Sequence, residues 1–378
     1  MSSPSPPAAE PRDVLPRSCA VIEQGMRVGL HVGAQVYAAV DGRVVADFGL
    51  GEARPGVPMT AKTVMLWLSS GKPVGATAIL QLYERGKLDL HDPVCKHLPE
   101  FAQHGKDSVT LWHILTHTGG FRWVDIGWPE SSWEEIIAKI CAARPERDWV
   151  PGRKAGYHPF SSWYILGEIV RRVDGRNYSD YVRQEIFLPL GMIDSWIGMS
   201  VEQYHAYGDR FGIMLHTEKL TPYTHRYDSA SGASVCVPGG NAHGPMHDLG
   251  RFYQMLLGGG ALHGVRVLAR DSGLLMTTPQ RVGLFDETFK HVIDWGLGTI
   301  IDSNRYGIDT VPYGYGKYSS PHTFGHGGSQ SSVAFADADH KLVAAVVFNG
   351  MPGEGKHDLR MRAFLAALYE DLGLDTKV

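Results

Sequence analysis

Two β-rich segments lie at opposite ends of the chain, and this placement constrains the fold more than any other feature. The first reads GAQVYAAV, then Asp41-Gly42, then RVVADFGLG. β-rich runs on either side of an Asp-Gly pair are the strongest short-range hairpin signal. The second segment, residues 332–350, again has two apolar runs around a short polar turn. After it, HDLRMRAFLAALYEDLG places Leu359, Met361, Phe364, Leu365 and Leu368 at largely helical spacing, so an amphipathic helix follows the last strand.

Between about Trp67 and Ala233 the signals are mostly helical. Val74 to Glu84 is apolar at helical spacing, and Thr110 is placed to cap LWHILTH. Ser131 or Ser132 opens a capping box with Glu134 or Glu135, and a helix from Ser161 to Asp174 stops at Gly175. The expected class is therefore α+β: an antiparallel sheet flanked by helices, built from both chain ends, with an inserted mostly helical domain. Residues 13–66 with 234–378 form the expected sheet domain, and 67–233 the helical one. Residues 1–12, mostly Pro, Ser and Ala, read as a disordered tail. The active site is expected in the cleft between the two domains.

Composition narrows the partners. Lys and Arg number 36 against 40 Asp and Glu, a net charge of −4 with no long run of either sign, so a nucleic-acid partner is not expected. The longest apolar runs fall far below the roughly 18 residues of a membrane span. No secretory leader is visible and the four cysteines are scattered, which points to a cytoplasmic protein. The spacings of His113/His117, His243/His247 and His322/His326 lack a convincing third ligand, so neither a metal nor a cofactor is expected. Nucleophile-elbow, phosphate-loop, dinucleotide-loop and zinc-protease motifs are absent.

The positive signal is Ser69-Ser70-Gly71-Lys72 at the start of a helix. Three-residue spacing puts a hydroxyl and an amine on one helix face, about one turn apart. A serine is a poor nucleophile until a neighbour takes its proton, and a lysine shielded from water near a helix N-terminus is pushed toward its neutral, basic form. Alone the tetrapeptide is weak, since roughly one chance match is expected in a chain of this size.

Its surroundings add to it. WLSSGKPVGATAILQLYERGKLDLHDPV, VTLWHILTHTGGF, PGRKAGYHPFSSWYILGEIV, PLGM, PGGNAHGPMHDLGRFYQMLLGGG, WGLG and FGHGGSQ occur in this order. Together they resemble the serine β-lactamase-related family: class C β-lactamases, D,D-peptidases, family VIII esterases and acyltransferases of the simvastatin-synthase type. The resemblance runs from about residue 34 to 370 and implies roles. Ser69 matches the nucleophile, Lys72 the lysine of Ser-x-x-Lys, and Tyr157 the tyrosine of the second motif. His326, Gly327 and Gly328 match the third motif, and the backbone N–H groups of Ser69 and Ser329 would form the oxyanion hole. The resemblance makes His117 a structural residue.

Two departures bear on the substrate. Pro159 stands where lactamases and peptidases usually carry an Asn that contacts a substrate amide. His326 replaces the ammonium of the third motif with an imidazole, which weakens an anchor for a substrate carboxylate. Trp123, Trp128 and Trp133 follow THTGG and are expected to wall an apolar acyl pocket. The expected function is a serine acyl-enzyme esterase or acyltransferase acting on a small-molecule ester or thioester, with a small-molecule acceptor in the transfer case and secondary metabolism as one setting. The alternatives are a β-lactamase or D,D-peptidase, and a non-catalytic binding protein of the same fold.

Overall fold

A computed structural model describes residues 10–219 and 221–376. The central sheet has seven strands: β1 (Gly33–Val40), β2 (Arg43–Arg54), β3 (Val57–Pro58), β4 (Ile300–Ile301), β5 (Thr323–Gly328), β6 (Ser332–Asp337) and β7 (Leu342–Phe348), in the spatial order β4-β5-β6-β7-β1-β2-β3. The two ends of the chain meet where β1 runs antiparallel to β7, with Ala34 opposite Phe348 and Val40 opposite Leu342. The hairpin expected at Asp41-Gly42 is present, both residues at positive φ as its tight turn requires.

Alternation along the strands feeds two cores. Val36, Ala38, Ala344, Val346 and Phe348 face one side, where they pack with Ile22, Met361, Phe364, Leu365 and Leu368. These come from α1 (Pro16–Arg27) and the closing helix α7 (Glu354–Asp371). Tyr37, Ala39, Val343, Ala345 and Val347 face the other side, toward Met246, Leu249 and Phe252 of α6 (Met246–Leu257). Period-two alternation is what a sheet covered on both faces requires. Leu359, expected on the apolar stripe of α7, is instead 73% exposed. It lies two residues before Met361, about 200° around a helix, so it cannot share that face.

The intervening helices follow their local signals. α2 (Lys72–Glu84) is buried continuously from Lys72 to Leu82, which departs from the one-sided pattern expected of it. It is a central helix packed between α5 (Ser161–Asp174) and the sheet rather than a surface one. Thr110 caps α3 (Leu111–Leu115), and Ser132 with Glu135 forms the capping box of α4 (Trp133–Ala142). Gly175 ends α5 with φ +93°. A small sheet of Met65–Leu66, Ala242–Gly244 and Trp196–Ile197 gathers three distant segments immediately before Trp67. Residues 1–9 of the expected tail lie outside the described residues, and Pro11–Val14 form a helical turn, so the tail does not reach residue 12.

Candidate active site

The Ser69-Ser70-Gly71-Lys72 tetrapeptide joins a tight 3-10 turn, Leu68–Gly71, to the first residue of α2. Leu68 has φ +50°, a left-handed backbone that a residue bearing a Cβ adopts only when its surroundings impose it. The surroundings are visible. Ser332 Oγ donates to the Trp67 carbonyl at 2.7 Å, Ser70 Oγ donates to the His326 carbonyl at 3.1 Å, and the two hydroxyls lie 2.9 Å apart. Gly328 makes this closeness possible, because a Cβ there would stand 2.4 Å from the Trp67 carbonyl oxygen. Buried Ser70 thus ties the turn to β5 and β6, a role that adjacent residues in the sequence do not signal.

Lys72 Nζ lies 2.9 Å from Ser69 Oγ and donates to the Gly239 carbonyl at 2.5 Å. The side chain is fully buried, with Tyr157, Phe160 and Trp163 rings around the amine and no carboxylate among its hydrogen-bond partners. Burial therefore lowers its pKa well below the usual lysine value. Tyr157 Oη donates to Ser69 Oγ at 2.8 Å, and burial pushes its pKa above the ordinary phenol range. The same dry environment favours a neutral amine and a protonated phenol, separating a base from an acid.

Tyr157 is held by residues that the motifs did not reveal. Its backbone N–H donates to Asp286 Oδ1 at 3.0 Å, and its carbonyl accepts from Thr288 Oγ1 at 2.9 Å. Asp286 Oδ1 also accepts from the N–H groups of Thr288 and Phe289, while Oδ2 accepts from Arg281 Nη2 at 3.1 Å. Both charged side chains are buried, so the pair is a fixed post beneath the tyrosine. The ring rests near Trp295, Phe289 and His117. His117 in turn accepts from the His158 N–H at 3.0 Å, which makes it a support for the Tyr157 segment.

These groups open into a cavity of about 630 Å³ lined by Ser69, Tyr157, Pro159, His326, Gly327 and Ser329, among others. Gly328 follows on the same strand, its backbone turned against Trp67. Among the described residues neither the Ser69 nor the Ser329 N–H has an intramolecular acceptor, which leaves both available to a developing oxyanion. His326 Nδ1 lies 2.7 Å from the Gly327 carbonyl, so its proton is on Nδ1. Burial lowers its pKa to about 3, and the ring is neutral at physiological pH.

The tryptophans are arranged differently from expectation. Trp123 lines the mouth of the cavity but is 66% exposed. Trp128 does not line it; its ring meets Tyr227 edge-on at 4.8 Å beneath the Arg226 guanidinium. Trp133 donates to Glu168 Oε2 at 2.8 Å, away from the site. Phe160, Tyr227, Phe289 and Tyr313 form the aromatic lining instead. Their segments lie far from THTGG in sequence, which is why the local tryptophan run misled. The histidine pairs do not converge: His243 bonds to Asp228, His247 to Asp47 and His322 to Asp339. Among the described residues no group of three His, Cys, Asp or Glu side chains is placed to hold a metal.

A serine hydroxyl on a constrained turn, flanked by an amine and a phenol beside an antiparallel sheet, is an arrangement suited to acyl transfer, and the fold is that of the β-lactamase/transpeptidase class of serine hydrolases. The chain belongs to the beta-lactamase family, which matches it over residues 20–368. It is similar to "Esterase/beta-lactamase LipL" of Mycobacterium tuberculosis, 24% identical over 376 residues, covering 92% of this chain and 85% of that one. Among solved structures, a penicillin-binding protein homologue from Caulobacter crescentus superposes with a TM-score of 0.78 at 29% identity, covering 95% of this chain and 98% of that one. A family VIII carboxylesterase superposes with a TM-score of 0.76 at 25% identity, covering 97% and 99%. No helix among the described residues is long and apolar enough to cross a membrane.

Proposed function

We propose that the protein is an esterase or acyltransferase that forms an acyl-enzyme on Ser69 from a small-molecule ester or thioester. The observation that carries this reading is the position of Ser69 Oγ, 2.9 Å from a fully buried lysine amine and 2.8 Å from a phenol. Neutral Lys72 takes the Ser69 proton as Oγ attacks the acyl carbonyl. The Ser69 and Ser329 N–H groups bind the oxyanion, and Tyr157 passes a proton to the departing oxygen or sulfur. Water or an acceptor hydroxyl or amine then attacks the acyl-enzyme, giving its proton back through the same pair. Asp286 and Arg281 position Tyr157 without touching substrate.

Pro159 at the cavity wall and the neutral ring of His326 support esters over peptidoglycan-type amides, because the proline side chain offers a substrate amide no hydrogen bond and the neutral ring offers a substrate carboxylate no charge. The four free thiols are in keeping with a cytoplasmic site of action, and the division into 13–66 with 234–378 and 67–233 belongs to the same reading. The test is intact-mass measurement after incubation with a panel of activated esters and thioesters. An adduct on Ser69, absent from Ser69→Ala, supports the reading; no adduct with any donor overturns it. The names of the relatives also favour a second reading, a β-lactamase or D,D-peptidase. Turnover of a chromogenic cephalosporin well above that of simple esters would establish it.

A further inference from the structure

One part of the cavity lining carries charge of a sign that the motifs did not suggest. Glu354 and Asp358 both line it, one helical turn apart on α7 and therefore on one face of that helix. Glu354 is exposed at the rim, where it accepts from Tyr313 Oη at 2.8 Å and from Ser329 Oγ at 3.4 Å, beside one of the two proposed oxyanion N–H groups. Tyr313 is held at φ +52°, with its ring against Gly327 and 5.6 Å from that of Phe289. Asp358 is half-buried and its carboxylate has no hydrogen-bond or ion-pair partner among the described residues. Burial raises its pKa, and Arg362 one turn on opposes that shift without contacting it.

Little within the cavity balances these two carboxylates. Among the described residues Arg226 is the one permanent cation lining it, and that residue is exposed, its guanidinium 4.2 Å from the Trp128 ring centre. Lys72 does not line it, and burial lowers the pKa of that amine. His326 Nε2 is a buried lone-pair acceptor without a partner, where the resemblance would place an ammonium. A partly desolvated carboxylate without a partner is costly, and an ammonium supplied by a ligand removes that cost. Aromatic faces beside carboxylates are also how proteins hold alkylammonium groups.

We propose that this cavity selects a substrate bearing a cationic, ammonium-type head, seated against Glu354 and Asp358 and over the faces of Tyr313 and Phe289. The inference rests on the serine acyl-transfer reading and adds the substrate class to it. It also reverses the charge preference of a site built around an ammonium in the third motif.

The experiment compares esters that differ only in charge. In one pair the cation is on the alcohol: phenylacetylcholine against the neutral ester with carbon in place of nitrogen. In the other it is on the acyl group: a nitrophenyl trimethylammonio-butyrate against its carbon isostere. We expect wild-type protein to favour the cationic member of at least one pair on the order of tenfold in kcat/KM. The ratio should fall toward one in Glu354→Gln/Asp358→Asn. The responding pair assigns the head to the alcohol or the acyl side. Equal use of both members of both pairs, or a preference that survives the double variant, overturns the proposal while leaving the acyl-enzyme reading intact. If no ester is turned over, that reading fails by itself, and calorimetric titration with benzyltrimethylammonium decides this one. Binding lost in the double variant supports it, and no binding to wild type overturns it.

Discussion

The Tyr157 hydroxyl donates to Ser69 Oγ across 2.8 Å while Lys72 Nζ stands 2.9 Å from the same oxygen, so one atom is shared by two proton carriers. Parts of one relay do not contribute independently. Tyr157→Phe and Lys72→Ala should each lower kcat by about 10²–10⁴-fold. The double variant should be little worse than the worse single one. Steady-state rates on one chromogenic ester check this, and losses that multiply would separate the two residues.

Lys72 also links activity to pH and stability. Its pKa is lowered in the folded protein, so at pH values between the depressed and the usual lysine value the unfolded chain carries a proton on this amine that the folded chain lacks. Stability contributed by this residue therefore rises with pH from the depressed value up to the usual lysine range, and is lowest below the depressed value. Turnover should fall on the acid side as the amine is protonated. Lys72→Met, which removes the buried amine, should be inactive yet more stable by about 1–2 kcal/mol, as read by urea denaturation at neutral pH. A destabilised Lys72→Met protein would contradict a strained, neutral amine.

Asp286 and Arg281 form a buried pair whose carboxylate also holds the Tyr157 N–H. Removing one partner leaves an uncompensated charge in a dry environment. Asp286→Ala should cost about 3–5 kcal/mol in denaturation experiments, with a fall in kcat because Tyr157 loses its anchor. Asp286→Asn, which can keep an acceptor for the N–H, should recover part of kcat. No recovery would mean that the carboxylate acts on stability alone.

Trp123 and Trp128 should now behave differently. Trp123 is largely in solvent, and Trp123→Ala should change KM for a bulky aryl ester by no more than about twofold. Trp128 buttresses Tyr227, so Trp128→Ala should raise KM for that ester by about tenfold, through loss of an aromatic pair and movement of the lining. Steady-state kinetics on both variants test the assignment, and the reverse order would restore a tryptophan wall.

What was legible in the sequence was what local spacing can encode. Ser69 and Lys72 are three residues apart, and the caps at Thr110 and Ser132 are set within one turn. Terminal strands joined in one sheet followed from two hairpin signals. Tyr157 entered only through resemblance, since 88 positions separate it from Ser69. Asp286, Ser332 and Glu354 were not found at all, because each acts on a partner that only the folded chain brings near. Trp128 was misplaced for a related reason: proximity along the chain carries no information about which way a ring turns. Burial along α2 was also missed, because a helix wrapped on all sides has no polar face to mark its orientation.

The pairing of β1 with β7 has a consequence for biosynthesis. A nascent chain on the ribosome presents the β1–β2 hairpin well before β7, the strand that completes its inner edge, has been made. Until then the edge of β1 is open to pairing with other chains, and non-local pairing of this kind is slow to form. Ser69 is likewise synthesised long before Ser329, so the two cannot come together until β5 and the residue after it have been made. Chains truncated before β5 should accumulate as inactive, chaperone-bound species.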